Sequence, residues 1–147
     1  AGGVVPKADF LAKALDPAFA RELGLPGGSL EGYLFPDTYR MRPQTPAAKV
    51  LTAMVRRHRQ VYEELAQRHA TGVARLAGKL AVQPTDIDAK IVILASIVEK
   101  ETGQPHERPR IAQVFINRMT LPTFKPRLLQ TDPTIIYGCT LGPLVLG

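Results

Sequence analysis

The stretch from Thr85 to Gly103 leaves this chain few ways to fold. It reads as one helix with a start signal, an apolar body and a charged end. Thr85 stands where an N-cap belongs, and Asp88, three residues on, stands where the acid of a capping box would answer it. Asp86 and Asp88 also suit the positive end of the helix dipole. Gly103 and Pro105 are stop signals. Between these ends, Ile91 to Val98 is apolar on every side except at Ser96. A helix that is apolar all round is expected to be buried. The rest of the chain must therefore wrap this rod and also accommodate two carboxylates, Glu99 and Glu101, at its far end.

Those two glutamates cannot share one task. At about 100° per residue they point roughly 200° apart. Glu101 falls on the face of Ile87, Leu94, Ile97 and Val98, whereas Glu99 falls on the face of Asp88, Val92, Ala95 and Ser96. The carboxyl on the more apolar face is the one expected to be partly desolvated. Desolvation favours the protonated acid, which makes such a group a usable proton donor near neutral pH. Glu101 is thus the expected general acid, with Glu99 as a salt-bridged or supporting group and as the fallback. The plain alternative is a helix that emerges into water and ends in charged residues.

The chain has 147 residues, enough for one domain with a real core, and at 45% hydrophobic and 22% charged it is globular and not disordered. No apolar run reaches membrane-spanning length and no signal peptide opens the chain. The abrupt ends suggest a piece cut from an anchored protein. A net charge of +6 and a pI near 9.8 favour polyanionic partners such as nucleic acid, anionic lipid or an acidic wall polymer. Much of the excess lies in Arg56 to Arg59 and in the loop carrying Lys125 and Arg127. Aromatic residues do not interleave with these charges, so no stacking surface for single strands is expected, and the arginine run is expected to be a solvated helix face. Cys139 is alone and expected to be a packing residue. His58, His69 and His106 lack ligand spacing, so neither a metal nor another cofactor is expected.

Taken in order, residues 6–23 read as two short helices, the second with Asp16 as cap and Pro17 in its first turn. Leu30 to Tyr39 alternates and carries aromatics, which suggests an extended segment broken at Pro36. It gathers Glu31, Tyr33, Asp37, Thr38 and Tyr39, either as one wall of a polar groove or as an ordinary edge strand. Thr45-Pro46 opens a long amphipathic helix reaching about His69, with Val50, Met54, Val61 and Leu65 as its core stripe and His58 and Tyr62 beside it. A weaker helical piece and a loop fill residues 70–84. Another helix runs from Arg108-Pro109 to Met119, with Ile111, Val114, Phe115 and Arg118 on one side and Asn117 near its end. Leu121 to Arg127 is a loop. Asp132 then caps a short helical turn that Pro133 begins and Gly138 ends. The fold class expected is α+β, mainly helical with a small extended segment, in one domain over residues 1–147.

Three segments together resemble the YceG-like endolytic murein transglycosylases (the MltG family). They are Glu31-Gly-Tyr-Leu-Phe-Pro-Asp-Thr-Tyr39, Ala95-Ser-Ile-Val-Glu-Lys-Glu-Thr102, and Val114-Phe-Ile-Asn-Arg-Met119 followed by Leu129-Gln-Thr-Asp-Pro-Thr-Ile-Ile-Tyr-Gly138. The resemblance implies a lysozyme-like helical catalytic core that cuts within peptidoglycan glycan strands. The bond is the β-1,4 link from N-acetylmuramic acid to N-acetylglucosamine, and the product is a 1,6-anhydromuramyl end. It implies a catalytic glutamate in the Glu-Lys-Glu-Thr segment, carried here to Glu101 because Glu101-Thr102 is similar to the Glu-Ser pair of other lytic transglycosylases. Gln130, Thr131, Asp132, Asn117 and Tyr137 are implied as substrate-binding residues, and Glu31, Tyr33 and Asp37 as a further wall. The implied setting is the outer face of the bacterial cytoplasmic membrane, with wall-synthesising penicillin-binding proteins as partners and membrane attachment only through an anchor outside this chain. The family's anchor, its wall-binding region and the part that follows the Asp-Pro-Thr segment are not in the sequence, and the loop from Thr120 to Arg127 is longer and richer in proline than the family's short turn. Two readings of other classes stand beside the enzyme: a non-catalytic peptidoglycan-binding scaffold, and a basic nucleic-acid binder, which no reading motif supports.

Overall fold

Among the described residues two hydrophobic clusters form, one in each half of the chain. The chain divides accordingly into two compact units, residues 1–70 and 71–147. The computed structural model describes residues 4–26, 28–83 and 86–140, so the cap expected at Thr85 lies outside the described residues. Among the described residues the architecture is mainly helical and no strand forms. No helix among them is long and apolar enough to cross a membrane.

The first unit holds α1 (Lys7–Ala14), α2 (Pro17–Glu22) and α3 (Ala47–Arg68). The Asp16 side chain accepts the Ala18 N–H at 2.9 Å, and Pro17 takes the first helical position, as its fixed φ and missing N–H suit it to do. The core joins Ala14, Phe19, Ala20, Leu25 and Leu30 to Leu51 and Val55 of α3. The apolar stripe of α3 therefore lies one residue on from the expected one. Val50, Met54 and Val61 are half-buried and Leu65 is exposed, whereas Leu51 and Val55 are sealed. One residue is a rotation of about 100°, and the helices packed against α3 decide it. The arginine run helps to fix that rotation and is not simply a solvated face. Arg57 pairs with Asp37 at 2.7 Å, Arg59 donates to the Leu23 carbonyl, and His58 lies between Tyr33 and Tyr62, edge-on to the first ring and stacked on the second.

The segment from Leu30 to Tyr39 does not become a strand. Leu30 is fully buried and its N–H donates to the Ala14 carbonyl at 2.9 Å. The chain then turns, with Tyr33 N–H donating to the Leu30 carbonyl at 3.1 Å and Gly32 at φ 82°. A turn with positive φ at its third residue is the kind that favours glycine. No described strand lies alongside to complete a ladder, and the Tyr39 hydroxyl donates instead to the Phe35 carbonyl at 2.7 Å.

Two carboxylates of this unit give it an acid-side dependence. The Lys13 ammonium, with the Ala18 and Phe19 N–H groups, holds Asp16 below its ordinary value of 3.8. The Thr38 N–H, then Arg57, does the same for Asp37. Because the folded values are depressed, this stabilisation is complete above the unfolded value near 3.8 and is lost as pH falls through the folded ones. Urea midpoints measured from about pH 5 down to about pH 2 should fall, and the fall should be shallower in an Asp16→Asn/Asp37→Asn double variant.

The second unit contains α4 (Ala70–Leu80), whose first residue closes the first unit, α5 (Ile87–Glu101), a 3-10 turn at Pro105–Glu107, α6 (Arg108–Thr120) and α7 (Asp132–Thr140). Ile97, Val98 and Phe115 form its buried cluster, with Leu94, Ile111, Ala112 and Leu129 packed against it. The helix α5 is not wrapped on all sides. It packs on α6 and α7, only Ile87, Ile97 and Val98 are buried, and Ile93 is 54% exposed. The terminal helix α7 runs through Gly138 to Thr140, past the expected stop, and Cys139 on it is exposed, not packed.

Candidate active site

The last turn of α5 carries both glutamates, and the backbone there is closed by Thr102. Its hydroxyl donates to Glu107 at 2.6 Å and accepts the Gln104 N–H at 3.0 Å, so the chain leaves the helix in a fixed direction. Glu99 pairs with Arg108 at 2.9 Å, which is the salt-bridged state expected for it. Glu101 has no ion-pair or hydrogen-bond partner among the described residues. Both carboxylates are exposed, so the desolvation expected of Glu101 from its apolar face is not present in the free chain. Helical spacing places a residue on a face. It does not say how far along that face the packing partners reach.

A cleft opens on the Glu101 face of the helix. It has a volume of about 460 Å³ and is lined by Lys90, Ile93, Leu94 and Ile97 of α5, by the end of α4, by Met119 and Thr120 of α6, and by Arg127 and Leu129 of the loop that follows. Positions 90, 94, 97 and 101 fall within an arc of about 60° on a helix, so Glu101 continues the stripe that lines the cleft, about 6 Å beyond Ile97 along the axis. Glu99 points the opposite way, toward its arginine. The α4 wall is closed by a Schellman turn, in which Val82 N–H donates to the Ala77 carbonyl at 3.1 Å and Ala81 N–H to that of Gly78 at 3.3 Å, with Ala81 itself at φ 52°.

The expected binding residues of the second unit lie on elements that meet α5 or follow directly from its cluster. Asn117, half-buried on α6, accepts from Gln113 at 2.7 Å. Leu129 packs on the Phe115 cluster, which seats Gln130 next to it. Gln130 is exposed, with φ 52°, and its carbonyl accepts from Arg118 at 3.2 Å. Thr131 is 2% exposed, and its hydroxyl oxygen is buried with no hydrogen-bond partner among the described residues. Its carbonyl accepts the Thr134 hydroxyl at 2.7 Å. Asp132 is exposed in the first turn of α7, and Tyr137 on the same helix is 47% exposed.

Glu31, Tyr33 and Asp37 belong to the first unit. Asp37 is engaged with Arg57, Tyr33 packs against the first core and edge-on to His58, and Glu31 is exposed at the turn.

Two features were not singled out from the sequence. Arg118 of α6, expected only as part of an apolar side, reaches both the Leu129 and Gln130 carbonyls and so ties the Gln130 segment to the helix. Lys79, Lys90 and Arg127 all line the cleft. The signal for Lys90 was its place on the Glu101 stripe. Nothing in the sequence brings Lys79 and Arg127 to it.

The profile of the YceG-like family matches residues 6–143. The chain is 33% identical over 110 residues to the endolytic murein transglycosylase of Bacillus subtilis (strain 168), a match covering 74% of this chain and 26% of that protein. The matched stretch is thus about a quarter of the relative's length. No solved structure matches the chain.

Proposed function

The chain belongs to the YceG-like family, and from that premise we propose that it carries the catalytic part of an endolytic peptidoglycan transglycosylase, with Glu101 as its general acid and base. The reading is supported most by one contrast. Among the described residues Glu101 is unpartnered, and it continues the stripe that lines the cleft, while Glu99 is turned away and neutralised by Arg108. A pair of carboxylates flanking one bond, the usual glycosidase arrangement, is not available from two groups about 200° apart.

One acid suffices for the reaction proposed. Glu101 protonates the glycosidic oxygen of the leaving N-acetylglucosamine as the muramic C1–O bond breaks. The neighbouring 2-acetamido group stabilises the cationic sugar. The Glu101 carboxylate then takes the proton of the muramic 6-hydroxyl as O6 bonds to C1, which closes the anhydro ring and restores the acid. No water is consumed. A strand lying along the α5 stripe would itself exclude water from the carboxyl, supplying the desolvation that the free chain lacks. Asn117, Gln130, Thr131, Asp132 and Tyr137 would orient glycan hydroxyls and amides, with Glu31, Tyr33 and Asp37 as further contacts. A lysozyme-like arrangement of helices about the groove, action on the wall side of the cytoplasmic membrane and partnership with wall synthases belong to the same proposal.

The exposure of Glu101 favours a second reading, a wall-binding module without catalysis. Incubation with purified peptidoglycan, followed by mass analysis of soluble products, separates the two. Anhydro-ended fragments are the expected result. Binding to sacculi with no new ends would overturn the enzymatic reading.

A further inference from the structure

The cleft beside Glu101 combines an apolar floor with a rim of three cations. Of its lining, Ile97 is buried and Leu94 and Leu129 are half-buried, which makes them the floor, while Lys79, Lys90 and Arg127 are exposed and so form the rim. No acidic residue lines it, and none of the three cations has an ion-pair partner among the described residues. Uncompensated like charges around one concavity repel each other and raise the local concentration of anions. The glycan backbone cleaved in the proposed reaction offers hydroxyls and acetamido groups, which do not call for three cations. The muramic sugar also carries a short peptide through its lactyl group, and that stem bears free carboxylates together with methyl side chains.

We propose that this cleft receives the peptide stem, with Lys79, Lys90 and Arg127 pairing its carboxylates and the Leu94–Ile97–Leu129 floor covering its aliphatic groups, so that the chain takes stem-bearing strands in preference to stripped ones. The proposal rests on the transglycosylase reading for its ligand. Position supports it as well as charge. Glu101 lies one helical turn, about 6 Å along the axis, beyond Ile97, the last α5 residue that lines the cleft, and a stem joined to the sugar at the scissile bond can span that step. An anionic lipid headgroup shares the chemistry, but a bilayer surface meets protruding apolar faces and not a recess between helices. A volume near 460 Å³ falls in the range of pockets that enclose small ligands.

The test compares glycan strands bearing stems with the same strands stripped by an amidase that cuts the lactyl–peptide bond. The expected result for the chain is a KM lower by about tenfold on stem-bearing strands, the summed effect of several weak exposed ion pairs, with kcat little changed. A Lys90→Gln/Arg127→Gln double variant should lose that advantage and keep its kinetics on stripped strands. Equal KM on both substrates, or an equal loss on both in the variant, would overturn the proposal and leave the transglycosylase reading standing. If neither substrate is cut, that reading fails, and the cleft is judged by titration with the released stem peptide. Binding that weakens with salt and in the variant upholds the proposal, and no binding ends it. Capture by vesicles of anionic phospholipid that is lost in the variant would reassign the cleft to lipid and so overturn it.

Discussion

Glu101→Gln is expected to remove anhydro-end release from peptidoglycan almost entirely, by about 10² to 10⁴-fold, the range over which a positioned general acid–base group accelerates a reaction. The substitution keeps shape and hydrogen-bonding capacity and removes only the transferable proton. Stability should not move measurably. Glu101 is exposed and unpartnered among the described residues, and surface changes of that kind usually stay within about 0.5 kcal/mol. An unchanged melting curve beside lost activity would therefore locate the defect in chemistry. Glu99→Gln supplies the contrast. It breaks the Arg108 pair, whose Glu99 side chain is 59% exposed, so both stability and rate should change little. If Glu99→Gln alone abolishes the reaction, the acid is Glu99, and the arginine's role is to hold it. If Glu101→Gln remains fully active, neither the cleft nor the stripe bears on catalysis.

The helices were legible where local chemistry sets them. Asp16 with Pro17 marks the start of α2, Thr45-Pro46 the start of α3, and Arg108-Pro109 that of α6, and all three begin there or within two residues. Each signal acts through the chain's own backbone, so no distant partner is needed to read it. What depended on distant partners was read less well. The stripe of α3 lay one residue off because Ala14, Phe19 and Leu30 determine which side is covered. Alternation over residues 30–39 suggested a strand, but a strand needs a neighbour, and the turn at Gly32 leads the segment elsewhere. The all-apolar body of α5 promised burial, yet Ile93 is open. For the site, the opposed directions of Glu99 and Glu101 followed from helical geometry alone, and the Arg108 pair agrees with that separation. The cationic rim was hidden because Lys79, Lys90 and Arg127 lie on three separate segments and converge only where the end of α4, α5 and the 121–131 loop line one cleft.

Phe115→Ala should be the most damaging core change in the second unit. The ring is 2% exposed and is the largest side chain in a buried cluster whose other members are Ile97 and Val98. Truncating a buried phenylalanine costs about 3–5 kcal/mol when the surroundings cannot collapse. Whole domains are stable by only about 5–15 kcal/mol, so a cluster this small has little in reserve. Leu129 packs on the same cluster, and Arg118, whose guanidinium lies 6.0 Å from the Phe115 ring centre, ties the Leu129 and Gln130 carbonyls to α6. Loss of the ring therefore frees the helix bearing Glu101 and loosens the Gln130 segment together. Amide hydrogen exchange is the measurement that separates this from a general weakening. Exchange in α5 and α6 should quicken by about two to three and a half powers of ten, at roughly 1.4 kcal/mol per tenfold. Amides of α3 around Leu51 and Val55, which belong to the other cluster, should change far less. Equal acceleration in both would mean that the clusters open as one cooperative body and that stability in this chain is shared where packing suggests it is divided.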